Sequence, residues 1–191
     1  MRYLALAAAG AVDGEALDVA RASLAGRIGL PAEHATALPA PTYAYDAQRK
    51  QFSSTLIMRT ALAHLPPGAE KLLVVTEADI FIPMLSFVFG QAQLDGFVAV
   101  LSLARLRQEF YGLPANRSLL LVRVAKEALH EIGHTFGLTH CVDTGCAMSL
   151  ATNIRQLDAK GRDFCPTCAI LIRETVRGPR AEPLDTSGGR T

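Results

Sequence analysis

Apolar and polar positions alternate along the chain in blocks that change period. Arg2 to Ala9 is almost wholly apolar, and Asp13-Gly14 breaks the run. An apolar stretch of this length before a turn predicts a buried strand. One Arg, an apolar segment and Ala7-Ala8-Ala9 also match a secretory leader weakly. The strand is the better reading, because residues from Asp13 to Arg27 follow a helical period. Leu17, Ala20, Leu24 and Ile28 share one face, which needs a sheet to cover it.

Glu33 to Ala40 reads as a short second strand, and Tyr43 to Gln51 as a polar loop. Ser54 to Leu65 predicts a helix stopped by Pro66-Pro67-Gly68. Glu70 to Ile80 has the continuous apolar centre of a buried strand. Ser86 to Gln93 and Gly96 to Leu106 read as two more strands, joined by a hairpin at Leu94-Asp95-Gly96. Asn116-Arg117-Ser118 reads as a helix start, and the helix runs from about Leu119 to Gly137 with an apolar stripe of Leu121, Ala125, Leu129, Ile132 and Phe136. The last periodic segment is Pro166 to Val176; residues 177–191 are polar, rich in Gly and Pro, and read as a disordered tail. These blocks predict an α/β fold, a twisted mixed sheet with helices. Residues 1–176 read as one domain, with an N-terminal part to about 137 and a smaller C-terminal part over 138–176.

Composition narrows the function. Half of the 191 residues are hydrophobic and 19% are charged, which is globular. A net charge of +1 gives no electrostatic reason to bind nucleic acid. No apolar run reaches the roughly 18 residues that would span a membrane. All four cysteines fall between Cys141 and Cys168, at C-x4-C and C-x-x-C spacing, which suits metal ligation in a reducing, cytoplasmic setting better than disulfides.

Three of the five histidines crowd into His130-Glu131-Ile132-Gly133-His134-Thr135-Phe136-Gly137-Leu138-Thr139-His140-Cys141. Residues four apart on a helix point the same way, so His130 and His134 can share one metal ion. Glu131 is turned by roughly 100° and can face a water on that metal without ligating it. Gly137 can take the left-handed conformation that ends a helix, which returns His140 as a third ligand. Three protein ligands leave a fourth position open, as catalytic zinc requires. H-E-x-x-H-x-x-G-x-x-H is the metzincin pattern, and Met148 stands where a Met-turn would follow. Cys141, Cys146, Cys165 and Cys168 form a four-thiolate set suited to a closed, structural zinc.

This run, with Cys146-Ala147-Met148 and Cys165-Pro166-Thr167-Cys168, resembles the archaemetzincins, small metzincin-type zinc metallopeptidases. The resemblance covers roughly residues 2–175 and is specific within 130–168. The segment between Met148 and Cys165 is one residue shorter than the family pattern. The resemblance implies a catalytic zinc on His130, His134 and His140 with Glu131 as general base. It also implies a structural zinc on the four cysteines and Met148 as the Met-turn residue. The expected fold is metzincin-like, with a zinc-stapled C-terminal lobe, two zinc ions, and a peptide or protein as substrate. The cleft is expected under an edge strand within Phe87 to Gln93. Every cysteine is used, so no cysteine is free to block the zinc in a latent form. Tyr43, Tyr45 and Tyr111 are candidates to stabilise an oxyanion, with nothing to single one out; His34 and His64 have no partners in sequence. The rival reading is a catalytically weak or inactive, zinc-stabilised peptide-binding module. It has no need of Glu131 or of an open metal position.

Overall fold

The computed structural model describes residues 2–179. β1 (Tyr3–Ala9) leads into α1 (Gly14–Ile28), whose first turn is capped by the Asp13 side chain accepting from the Ala16 N–H. β2 (Ala32–His34) returns parallel to β1. β3 (Tyr45–Asp46) and β4 (Gln51–Ser53) follow, then α2 (Ser54–Leu62) and β5 (Ala69–Thr76). β6 (Ile80–Phe81) precedes a hairpin of β7 (Gly90–Ala92) and β8 (Val98–Ser102). α3 (Arg117–Thr135), α4 (Ile154–Ala159) and α5 (Pro166–Arg177) complete the described chain.

The main sheet has the order β2-β1-β5-β8-β7, parallel except for the antiparallel edge strand β7. All eight positions of β5 are buried, as its continuous apolar pattern requires of a strand covered on both faces. Alternate residues feed two cores. Leu4, Leu6, Leu73, Val75, Ala99 and Leu101 pack towards α1 and α3. Ala5, Ala7, Leu72, Val74, Val98 and Val100 pack towards α2. Each large aliphatic side chain buried in this way contributes on the order of 1.5–3 kcal/mol. The apolar N-terminal run is therefore an interior strand, and the hairpin at Leu94-Asp95-Gly96 forms as its sequence indicates, with Asp95 at φ 52.

Several boundaries differ from the sequence pattern. Of Glu33 to Ala40, only the β2 residues Glu33 and His34 and a Leu38–Ala9 bridge join the sheet. The expected loop at Tyr43 to Gln51 instead supplies β3 and the start of β4, which pair with β6 in a separate three-stranded sheet. Ser86 to Gln93 is strand only at β7; before it, Phe87 and Phe89 form an edge-to-face pair. The buried line of α3 runs through Leu120, Val124, Ala128, Leu129 and Ile132; Leu121 and Ala125 lie at its margin. Arg177 ends α5, and Gly178 O accepts a hydrogen bond from Arg2 at 2.8 Å; positions 180–191 of the expected tail lie outside the described residues. No helix among the described residues is long and apolar enough to cross a membrane.

α3 is buried on its polar side as well. Arg123 makes a bidentate pair with Asp158 at 2.7 Å and donates to Leu106 O at 2.7 Å. Lys126 Nζ donates to the Leu157 and Asp158 carbonyls, and Glu127 Oε1 lies 2.5 Å from Lys160 Nζ. Three charged residues of one helix thus hold α4 and its C-terminal Lys160 against the sheet-bearing part of the chain. Arg123 is 3% exposed, so its loss would strand Leu106 O and leave Asp158 unpaired. Arg123→Ala should lower the unfolding free energy by about 2–4 kcal/mol, measured by urea titration. Arg117→Ala, which removes an exposed ion-pair network with Asp13 and Glu15, should leave the midpoint almost unchanged. An unchanged midpoint for Arg123→Ala would remove the helix–lobe clamp.

Candidate active site

α3 delivers the motif from its last turns. Asn116 caps its start by accepting from the Leu119 N–H at 3.0 Å. At its end Gly137 has φ +85, and the Gly137 and Leu138 N–H groups donate back to His134 O and Gly133 O at 2.9 and 3.1 Å. This left-handed turn reverses the chain and returns His140. One ligating atom from each of His130, His134 and His140 lies within 4.8 Å of the other two.

The two helical imidazoles are oriented by backbone carbonyls. His130 Nδ1 donates to Ala147 O at 2.9 Å and His134 Nδ1 to Leu138 O at 2.6 Å. A carbonyl can only accept, so each Nδ1 carries the proton and each Nε2 presents a lone pair. The two Nε2 atoms face each other at 3.1 Å. Zn–N bonds of about 2.0–2.1 Å with tetrahedral angles place two ligand nitrogens about 3.3 Å apart, so the set fits zinc. Burial lowers the pKa of all three imidazoles, of His130 well below the ordinary range, and the Lys160 charge adds to the shift. Neutral imidazole is the ligating form.

Met148 is fully buried beneath this turn. A Cβ at Gly133 would lie 2.5 Å from its Sδ, so a side chain there is incompatible with Met148 in this place. Cys141 N–H donates to Met148 O at 2.9 Å, which ties the first cysteine to the same turn. Sulfur atoms of Cys141, Cys146, Cys165 and Cys168 lie within 4.8 Å of one another, with 3.8 Å between Cys141 and Cys165. Four sulfurs about 2.3 Å from one tetrahedral zinc would stand about 3.8 Å apart, so this set fits a closed site. Cys146 Sγ also accepts from the Met148 and Cys165 N–H groups at 3.4 and 3.2 Å, an arrangement suited to a thiolate.

Between the edge-strand segment and the loop after Met148 runs a cavity of about 470 Å³. His130, His134, His140 and Glu131 line it, opposite residues 85–92 and beside Leu150, Ala151 and Thr152. Glu131 is 4% exposed, and burial, reinforced by the Glu127 charge, pushes its pKa well above the usual carboxylate range. A cation on the three imidazoles would oppose that shift. None of the three candidate tyrosines lines the cavity: Tyr111 donates to Arg105 O at 3.0 Å, and Tyr45 packs on Phe52.

Three residues around the motif escaped the sequence reading. Glu127 lines the cavity one helical turn before Glu131, a spacing that was readable in advance. Gly90 lines it from β7, and Lys160 pairs with Glu127 from the C-terminal segment. No local sequence signal marked either.

The comparisons agree with this architecture. Residues 65–174 match the model of peptidase family M54. The archaemetzincin of Methanocaldococcus jannaschii is 47% identical over 134 residues, 70% of this chain and 73% of that one. The crystal structure of the Methanopyrus kandleri archaemetzincin superposes with a TM-score of 0.81 at 32% identity, over 93% of this chain and 96% of that one. A zinc-dependent peptidase from Methanocorpusculum labreanum gives a TM-score of 0.80 at 29% identity, over 88% and 99% of the two chains. With its metzincin-like sheet, its three-histidine turn and these likenesses, the chain belongs to peptidase family M54, the archaemetzincins, and so to the zinc metallopeptidases.

Proposed function

We propose that the chain hydrolyses peptide bonds with one zinc on His130, His134 and His140, Glu131 as general base, and a second, structural zinc on Cys141, Cys146, Cys165 and Cys168. The observation that carries this reading is the convergence of three lone-pair nitrogens and one buried carboxylate on a single cleft. When bound there, zinc supplies Lewis acidity that polarises a carbonyl and lowers the pKa of water towards 7 from about 15.7. A peptide lies extended along the free edge of β7, held by backbone hydrogen bonds as an added strand. Glu131 removes a proton from the attacking water and passes it to the leaving amine nitrogen. Its burial serves this exchange, because a carboxylate screened from bulk water keeps the proton between the two steps. The Ala147 and Leu138 carbonyls hold the His130 and His134 imidazoles in place, and Met148 packs against the helix between them at Gly133. The C-terminal lobe, stapled by the four thiolates, forms the wall opposite β7.

Two measurements test this assignment. Glu131→Gln keeps the size of the side chain and cannot take a proton, so it should keep the metal content and lower turnover by roughly 10²–10⁴-fold on a peptide library. Turnover at the wild-type rate would exclude Glu131 as base; binding without cleavage by both proteins would favour the binding-module reading. Elemental analysis should find two zinc ions per chain. Cys165→Ser should lower the melting temperature steeply, since structural zinc contributes on the order of 10 kcal/mol to folding in small domains. His140→Ala, at an exposed ligand, should mainly remove activity and one zinc. The reverse pattern would exchange the roles of the two sites.

A further inference from the structure

Gly90 is a strand residue with no conformational need to be glycine. It pairs with Leu101 of β8, and it is not among the residues with positive φ. Its neighbour Gln91 points to the other face, where its Oε1 accepts from Ser54 Oγ at 2.6 Å, so position 90 faces α3. A Cβ built there would lie 2.5 Å from Glu131 Oε1 and 2.6 Å from both Cδ and Cγ. Carbon atoms in ordinary contact stand about 3.5–4.0 Å apart. The Glu131 side chain therefore lies across the bare Cα of the edge strand, in the space a side chain would fill.

We infer that Gly90 is the positioning residue for Glu131: the missing side chain on the edge strand is the cradle that sets where the carboxylate stands relative to the metal and to a strand-bound peptide. The inference rests on the reading of Glu131 as general base. The collision reaches Cγ as well as the carboxylate. Cγ is one bond from a Cβ fixed by the helix, so rotation at the end of the side chain cannot relieve it. Relief requires a new χ1 rotamer, of which a helix allows few, or withdrawal of β7 from α3. The first moves the carboxylate out of the cleft. The second would break strand pairing, including the Ser102 N–H bond to Phe89 O at 2.9 Å, so the side chain is what gives way and the strand edge stays in place. The same close approach shields one side of Glu131 from water without any side chain.

The test is Gly90→Ala, with zinc content, kcat and KM measured on a cleaved peptide. Zinc content should match the wild type. Misplacement of a catalytic group by about 1 Å costs about 10²-fold, so kcat should fall by that order. KM should stay within about two-fold, since the backbone edge that binds the peptide is intact. In the Glu131→Gln background the same substitution should leave the residual turnover unchanged, because the base it displaces is already disabled. Wild-type turnover in Gly90→Ala, or the same fractional loss in both backgrounds, would overturn the inference. Should Gly90→Ala fail to fold, Gly90→Ala with Glu131→Ala should fold and hold zinc, the colliding side chain being gone; failure of that double variant also overturns it. A fully active Glu131→Gln would sink the general-base reading itself, whatever Gly90→Ala does.

Discussion

Everything at the site depends on α3 being buried on two sides at once. Its apolar line packs under the sheet, and its charged line packs under the C-terminal segment. A helix with a polar face normally turns that face to water. Here Arg123, Lys126 and Glu127 must find partners inside the protein, because an unpaired buried charge costs several kcal/mol. α4 and Lys160 supply those partners. The clamp joins α3 to α4 and Lys160, on the helix that also lines the cleft.

The candidate metal ligands inherit their precision from this arrangement. The hairpin of β7 and β8 is pinned to the end of α3 by the Asp95 N–H, which donates to His134 O at 2.9 Å. The Met148 turn comes in from beneath, and its neighbour Ala147 orients His130. Backbone carbonyls, unlike mobile side chains, hold an imidazole at one rotation, so the His130 and His134 rings are oriented for the proposed metal by the fold itself. The four-cysteine cluster ties the same turn from its far side, through the Cys141 and Cys146 contacts to Met148. The two proposed zinc sites thus share one structural element, although their chemistry differs.

The electrostatics of the cleft are equally coupled. Glu127 and Glu131 stand one turn apart on the same helix, and the Glu127 charge disfavours that of Glu131. Lys160 offsets Glu127 at 2.5 Å, although neither atom makes a hydrogen bond of ordinary geometry. Its charge also reaches all three histidines and favours their neutral, ligating form. A single lysine from the C-terminal segment therefore tempers both the acid and the ligands.

The buried strands, the helix start at Asn116, the left-handed turn at Gly137 and all seven candidate ligands were legible in the chain alone. Each is a local matter: an apolar run, a short polar side chain before a helix, or residues spaced to meet on one turn. Tertiary structure decided the rest. The stripe of α3 held at Leu129, Ile132 and Phe136 but not at Leu121 and Ala125, because a helix buried on both sides has no solvent face to set its phase. The strands of the small sheet are two and three residues long, too short for any period to emerge. Of the run from Ser86 to Gln93 only three residues pair as β7, while Phe87 and Phe89 pack edge to face on each other. Lys160 and Gly90 acquire their meaning only from residues distant in sequence, one by meeting Glu127 and the other by leaving room for Glu131. Local pattern reports how a residue treats its neighbours in the chain, whereas a paired charge or a vacant Cβ is defined by what packing brings against it.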